Sequence, residues 1–253
     1  MTHFWLLTAV SASYLGTILV YRRLRAVWGR AHGFPPELLR QLDVSALLAP
    51  LQKEAPRLEP VVSQLEAGNL AAAQASWTAL AGDFPAPSKN LIEGVLALLQ
   101  AEQEPGRLAR YRWAARARRL ASQALAGGSG PAPTYLWLQA TLGYLTDSVN
   151  LELVLWQSGR LLRRVLAQHG QAPLLHLSAA LQASVAGETA ECLQALARAL
   201  YHSQNDPFVA SLILGLPRIG ELAPGLAAEA WKLEEGPLSG TTSGTASGTA
   251  ADP

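Results

Sequence analysis

Glycine and proline punctuate this chain at short intervals, and that spacing limits what it can fold into more than any other feature. Breaks fall at residues 82–87, 105–106, 127–133, 147–148, 170–173, 187 and 206–207. The segments between them run about 12 to 22 residues, lengths that suit helices joined by tight turns and leave no room for a strand–helix–strand alternation. Within them Leu and Ala greatly outnumber Val and Ile, and unbranched side chains lose little rotamer freedom in a helix. The expected fold class is therefore all-α, built of antiparallel helical hairpins. A chain of 253 residues with 49% hydrophobic content can bury a sizeable core.

The first thirty residues read differently. Phe4 to Tyr21 is an uncharged run of eighteen residues, which as a helix spans about 27 Å against a hydrocarbon core of about 30 Å. Phe4 and Trp5 lie at one end, Tyr21 and Trp28 near the other, and Arg22, Arg23, Arg25 and Arg30 follow with no lysine or arginine before the run. This pattern predicts a single-pass transmembrane helix over 4–21 and a basic juxtamembrane hinge over 22–35, with the C-terminal part on the cytoplasmic side. The Ala, Leu and Arg bias points to a bacterial inner membrane. A cleaved secretory signal is the rival reading, since "VSA" before Ser13 loosely resembles a processing site, but the basic n-region is missing. Ala9, Ala12, Ser13, Gly16 and Thr17 are small enough to let two such helices approach, which would permit a homo-oligomer.

Beyond the hinge, "LEAGNLAAAQASWTALAGDFPAP" (residues 65–87) turns at Gly68 and Asn69 into a helix where Ala73 and Trp77 stand four apart, and closes at Pro85. This stretch resembles the tetratricopeptide repeat, in which a small residue lets two helices approach, an aromatic fills the gap beside it and a proline ends the unit. Residues 173–207 match in part, with Ala179, Ala180 and Ala183, then Gly187, then Cys192, Leu196 and Ala199. "YLWLQATLGYL" keeps the first-helix spacing at Trp137, Ala140, Thr141 and Tyr144, while its second helix, 151–168, is out of register. The resemblance implies a TPR-like α-solenoid over 36–235, in which hairpins stack because one alone cannot bury its apolar face. Residues 208–231, broken at Pro217 and Pro224, would form the terminal cap. From residue 236 the Ser-Gly-Thr repeats lack large apolar groups except Leu238, so 236–253 is expected to be a disordered tail.

Reactive chemistry is hard to find in this sequence. It contains no phosphate-cradling glycine loop, no His-Glu-x-x-His, no calcium loop and no nucleophile elbow. One cysteine, Cys192, rules out an internal disulfide framework and a cysteine-based zinc cage; it reads as a small buried hydrophobe. His169 and His176 flank a proline-containing turn, poor geometry for a metal pair. "HSQND" (202–206) reads as the end of one helix and the turn into the next rather than a catalytic triad. Neither an enzyme nor a metal or other cofactor is expected.

Charge is banded along the chain. Residues 31–100 hold four basic and seven acidic side chains, 101–170 nine and four, and 171–253 three and eight. The basic band centres on "RLARYRWAARARRLA", which on a helical wheel sets Arg107, Arg110 and Arg118 in one cluster and Arg112, Arg116 and Arg119 in another, with Tyr111 and Trp113 between. Arg160, Arg163 and Arg164 would extend the patch. In tetratricopeptide proteins the concave surface made by the first helices receives a peptide or helix of another protein. The resemblance therefore implies groove candidates at Tyr135, Leu138, Leu142, Leu177 and Leu181, with Ile92, Leu96, Leu99 and Leu174 beside them; the simpler account makes most of these core. The expected function is a membrane-anchored, non-catalytic scaffold or assembly factor for another protein. The alternative is peripheral binding of anionic lipid through the arginine helix 107–119, with nucleic acid ranking behind lipid.

Overall fold

The computed structural model describes residues 34–128, 130–145, 151–203 and 206–234. The anchor expected at 4–21, the hinge up to residue 33, the break at 147–148 and the tail at 236–253 lie outside the described residues. Within them every regular element is helical, so the protein is all-α as the punctuation predicted, and no helix there is long and apolar enough to cross a membrane.

The chain enters as an extended segment with a 3₁₀ turn at Pro36–Arg40 and then forms helix α1 (Val44–Glu54), capped by the Asp43 carboxylate, which accepts from the Ala46 N–H at 2.8 Å. Helices α2 (Glu59–Glu66) and α3 (Leu70–Leu80) make the first hairpin. Its turn needs Gly68, whose φ is +73°, and Asn69 caps α3 by accepting from the Ala72 N–H at 3.2 Å. Ala73 and Trp77 face inward together, and the Trp77 ring meets Phe84 at 5.3 Å. The alanine-rich stretch is thus a seam between helices. Pro85, which closes this stretch, stands at the N-cap position of the next helix.

Helices α4 (Ala86–Gln103) and α5 (Arg107–Gly127) are the longest, and they pack on each other more extensively than any other pair. Gly94 marks the crossing: a Cβ there would lie 2.7 Å from Leu136 Cδ2 and 3.5 Å from Leu120 Cβ. The facing stripe of α5 is thin, with Ala114, Ala117, Ala121 and Ala124 buried, so the backbones approach closely. Two more hairpins follow, α6 (Pro131–Tyr144) with α7 (Leu151–Leu166), and α8 (Pro173–Ala186) with α9 (Thr189–His202). The α8–α9 turn passes through Gly187 at φ +76°. Helices α10 (Pro207–Leu214), α11 (Ile219–Leu222) and α12 (Pro224–Glu234) close the array.

Successive hairpins join in different ways: α3 meets α4, α5 packs extensively and α4 more lightly on α6, and α6 packs on α8. Helix α6 touches α4, α5, α7 and α8, while α8 touches α6, α7 and α9. These two are consequently buried on nearly every side. The apolar side chains of α4, α6 and α8 form one continuous core with those of α2, α3, α9 and α10. Cys192 is fully buried within it, and burial pushes its thiol up to about 12.

Candidate interaction surfaces

Three surfaces follow from this stacking. The first is the face of α6 and α8 on which a groove was expected. It is occupied, and its occupant is the chain's own entry segment. Residues 34–43 lie across α6 and α8, held at three backbone carbonyls. Ser184 Oγ donates to the Phe34 carbonyl at 2.6 Å, Gln139 Nε2 to the Leu39 carbonyl at 3.2 Å, and the Tyr135 hydroxyl to the Gln41 carbonyl at 3.0 Å. Phe34 and Leu39 are driven into the core, each burial contributing about 1.5–3 kcal/mol. Arg40 lies over the Tyr144 ring at 5.3 Å, in space that Gly143 leaves open: a Cβ at Gly143 would sit 3.1 Å from Arg40 Cγ.

The five groove candidates therefore require correction. Tyr135, Leu138 and Leu181 are completely buried, and Leu142 and Leu177 nearly so. They are core residues, because α6 and α8 are sandwiched between neighbouring helices and roofed by residues 34–43. Of the outer candidates, Ile92, Leu96 and Leu174 are buried too, and Leu99 is half-buried. The end of the expected hinge is likewise no free linker, since Phe34 is part of the core. Gln139 and Ser184 carried the signal that sequence reasoning passed over. Polar side chains on otherwise apolar helices must find partners once buried, and here the partners are the carbonyls of an extended segment.

The underside of this segment carries an acid pair. Asp43 is buried, and its carboxyl is raised from 3.8 to about 6, first by desolvation and then by the nearby carboxylates of Asp206 and Glu66, with the Ala46 N–H opposing. Asp206 caps α10 by accepting from the Phe208 N–H at 2.9 Å, so the entry segment and the last helices meet at two carboxyl groups.

The second surface is an open groove between α7 and α9, with α8 as its floor and a volume of about 960 Å³. Ala179, Ala183 and Ala186 line the floor, and the stretch from His176 to Ala186 measures about 15 Å along the helix. Leu153 and Trp156 stand on the α7 wall, 52% and 57% exposed. The groove is electrically polarised. Glu152, Glu188 and Glu191 line one end, Arg163 and Arg198 the other. Arg160 lies over the Trp156 ring at 5.7 Å and steadies it. At mid-length Gly159 makes room for Gln182, whose amide donates to the Leu155 carbonyl at 3.3 Å and ties wall to floor. At the basic end His176 bonds the Gly170 carbonyl at 2.8 Å and stacks on His202 at 5.1 Å. Burial, ahead of His202 and Arg198, holds the His176 imidazole below its usual value despite the Gly170 bond.

Sequence reasoning missed this groove, although its trace was present: the second helix of the third hairpin is the one that falls out of repeat register. Helix α7 stands apart from α9 across the floor of α8. Arg163 belongs to this groove, so it does not extend the basic patch of α5.

The third surface is α5 itself. Arg112, Arg116, Arg118 and Arg119 are exposed, and Arg116 lies over the Trp113 ring at 5.3 Å. Arg107 is exposed at the first turn, whereas Arg110 folds back, its Nη2 and Nε donating to the Glu104 carbonyl at 2.9 and 3.3 Å. Arg110 thus leaves the cluster drawn on the wheel and closes the α4–α5 turn. Among the described residues no group of three or more His, Cys, Asp or Glu side chains converges as a metal site. His202 and Asp206 serve a ring stack and a helix cap. No protein-family model, curated protein or solved structure matches this chain.

Proposed function

We propose that this protein is a membrane-anchored, non-catalytic scaffold built on a TPR-like hairpin array, whose partner docks in the α7–α9 groove. The observation that carries the reading is the pairing of two exposed large apolar side chains, Leu153 and Trp156, with a thin alanine floor between two parallel walls. Exposed aromatic anchors beside a concave apolar surface are the usual centres of interface energy. The elongated shape suits an amphipathic helix better than a compact metabolite. The charge at its ends specifies a helix with basic side chains toward Glu152, Glu188 and Glu191 and acidic ones toward Arg163 and Arg198. Residues 4–21 anchor the array to the inner membrane with the helical domain in the cytoplasm.

The test is site-specific photo-crosslinking in intact cells. A photoreactive side chain at Leu153 is expected to capture one partner protein, the adduct disappearing with Trp156→Arg and never forming from Gln123 on α5. Identical adducts from Leu153 and Gln123, or an adduct indifferent to Trp156→Arg, would sink the groove reading.

A further inference from the structure

We propose that a second cavity, between residues 35–40 and the first turn of α5, seats the phosphate of an anionic phospholipid. The cavity measures about 920 Å³. Arg40, Arg107 and Arg110 line it with one carboxylate, Glu37, and a second, Glu102, lies behind the Tyr144 wall, accepting from the Tyr144 hydroxyl at 3.2 Å within charge range of Arg40, so three cations face two anions. The guanidinium groups of Arg40 and Arg110 are held in place before any ligand arrives. Arg40 rests on the Tyr144 ring at 5.3 Å and Arg110 on the Glu104 carbonyl, so little side-chain freedom remains to be lost on binding. Guanidinium is the side chain best matched to phosphate oxygens. Glu37 pairs with Arg40 Nη2 at 2.6 Å, but that pair is exposed on the Glu37 side and therefore weak, so a phosphate can displace it.

Two further observations choose a bilayer over a soluble phosphate or a nucleic acid. Leu108 and Tyr111 also line the cavity, 65% and 53% exposed. An exposed leucine gains nothing from a phosphate in water, whereas an aliphatic and an aromatic side chain beside arginines suit the zone where headgroups meet acyl chains. The second observation is position. The wall at Pro35 is separated by thirteen residues, Arg22, Arg23, Arg25 and Arg30 among them, from the end of the uncharged run at Tyr21. Fully extended, that stretch reaches at most about 50 Å. The cavity is therefore tethered near the membrane, and its charge adds to that of the four arginines. For this tether the inference rests on the anchor in the proposed function.

The full-length chain is reconstituted in nanodiscs of phosphatidylcholine, with and without phosphatidylglycerol, and amide hydrogen exchange is followed at residues 105–111. Exchange there is expected to slow at least about fivefold in the anionic discs, and Arg107→Gln is expected to reverse most of that, as one arginine near such a surface is worth about a fivefold change in binding. The double variant Arg112→Gln/Arg119→Gln, which removes twice that charge from the outer stripe of α5, should leave the slowing in place. The proposal is overturned by equal exchange in both discs, by an equal response to the two sets of variants, by glycerol phosphate slowing exchange equally in neutral discs, or by a single-stranded oligonucleotide doing so. A chain that does not enter the discs at all refutes the anchor instead.

Discussion

Two faces of the same helical stack meet opposite fates. On one, α6 and α8 present apolar side chains with Tyr135, Gln139 and Ser184 among them, and residues 34–43 lie across them, meeting those polar groups with backbone carbonyls. On the other, α7 and α9 stand apart over a floor of alanines, and Leu153 and Trp156 remain in solvent. The architecture is the same in both places. The difference is whether the chain supplies an occupant, and a face that can hold its own extended segment has no need of a partner there. Side chains on the closed face should therefore act on stability, and those of the open groove on association.

The sharpest way to break this comparison is Phe34→Ala. The variant is expected to lose about 3–4 kcal/mol in chemical denaturation, since it opens a cavity under the entry segment. A loss below 1 kcal/mol would mean that residues 34–43 rest loosely and that the groove under them is accessible after all. Trp156→Ala reverses the pattern: stability within about 0.5 kcal/mol of the parent, but at least about thirtyfold weaker capture of the partner by a purified-protein binding assay.

Asp43 sharpens the closed face through pH. Its carboxyl is raised in the folded chain, from 3.8 to about 6, so the folded state holds the proton more tightly than the unfolded one. Stability should accordingly fall as pH rises from about 4 to about 6 and level off above that. Asp43→Asn keeps the α1 cap and should remove this slope, adding about 1–2 kcal/mol at pH 7; urea titrations at pH 4, 5, 6 and 7 read it directly. The smallest effect is expected at the open groove's hinge, where Gly187→Ala strains a φ of +76° and costs about 1 kcal/mol. Thermal melting measures that cost, and partner affinity reports whether the α9 wall has shifted.

Much of the fold is legible from local signals. Gly68 with Asn69, Pro105 with Gly106, Gly187, and Asp206 with Pro207 each mark a helix boundary through backbone conformation or a cap, effects confined to a few residues. The thin face at Ala73 and Trp77 is read in the same way, because helical period places both on one side. The candidate site was less legible. Leu138, Leu142, Leu177 and Leu181 have the spacing of a groove and equally of a core, and periodicity alone does not tell a face that meets water from one that meets another segment. Arg110 was grouped with Arg107 and Arg118 by the wheel, yet the wheel ends where α5 ends and does not include the Glu104 carbonyl one turn away.

Helix content, hairpin order and the banding of charge were settled by sequence alone, since each depends on interactions among residues close along the chain. The roof of residues 34–43 over α6 and α8, the gap between α7 and α9, and the meeting of Arg40 with Arg107 and Arg110 were decided only by tertiary structure. They join positions separated by many tens of residues, and their free energy comes from burial and carbonyl pairing that exist only once the hairpins have stacked.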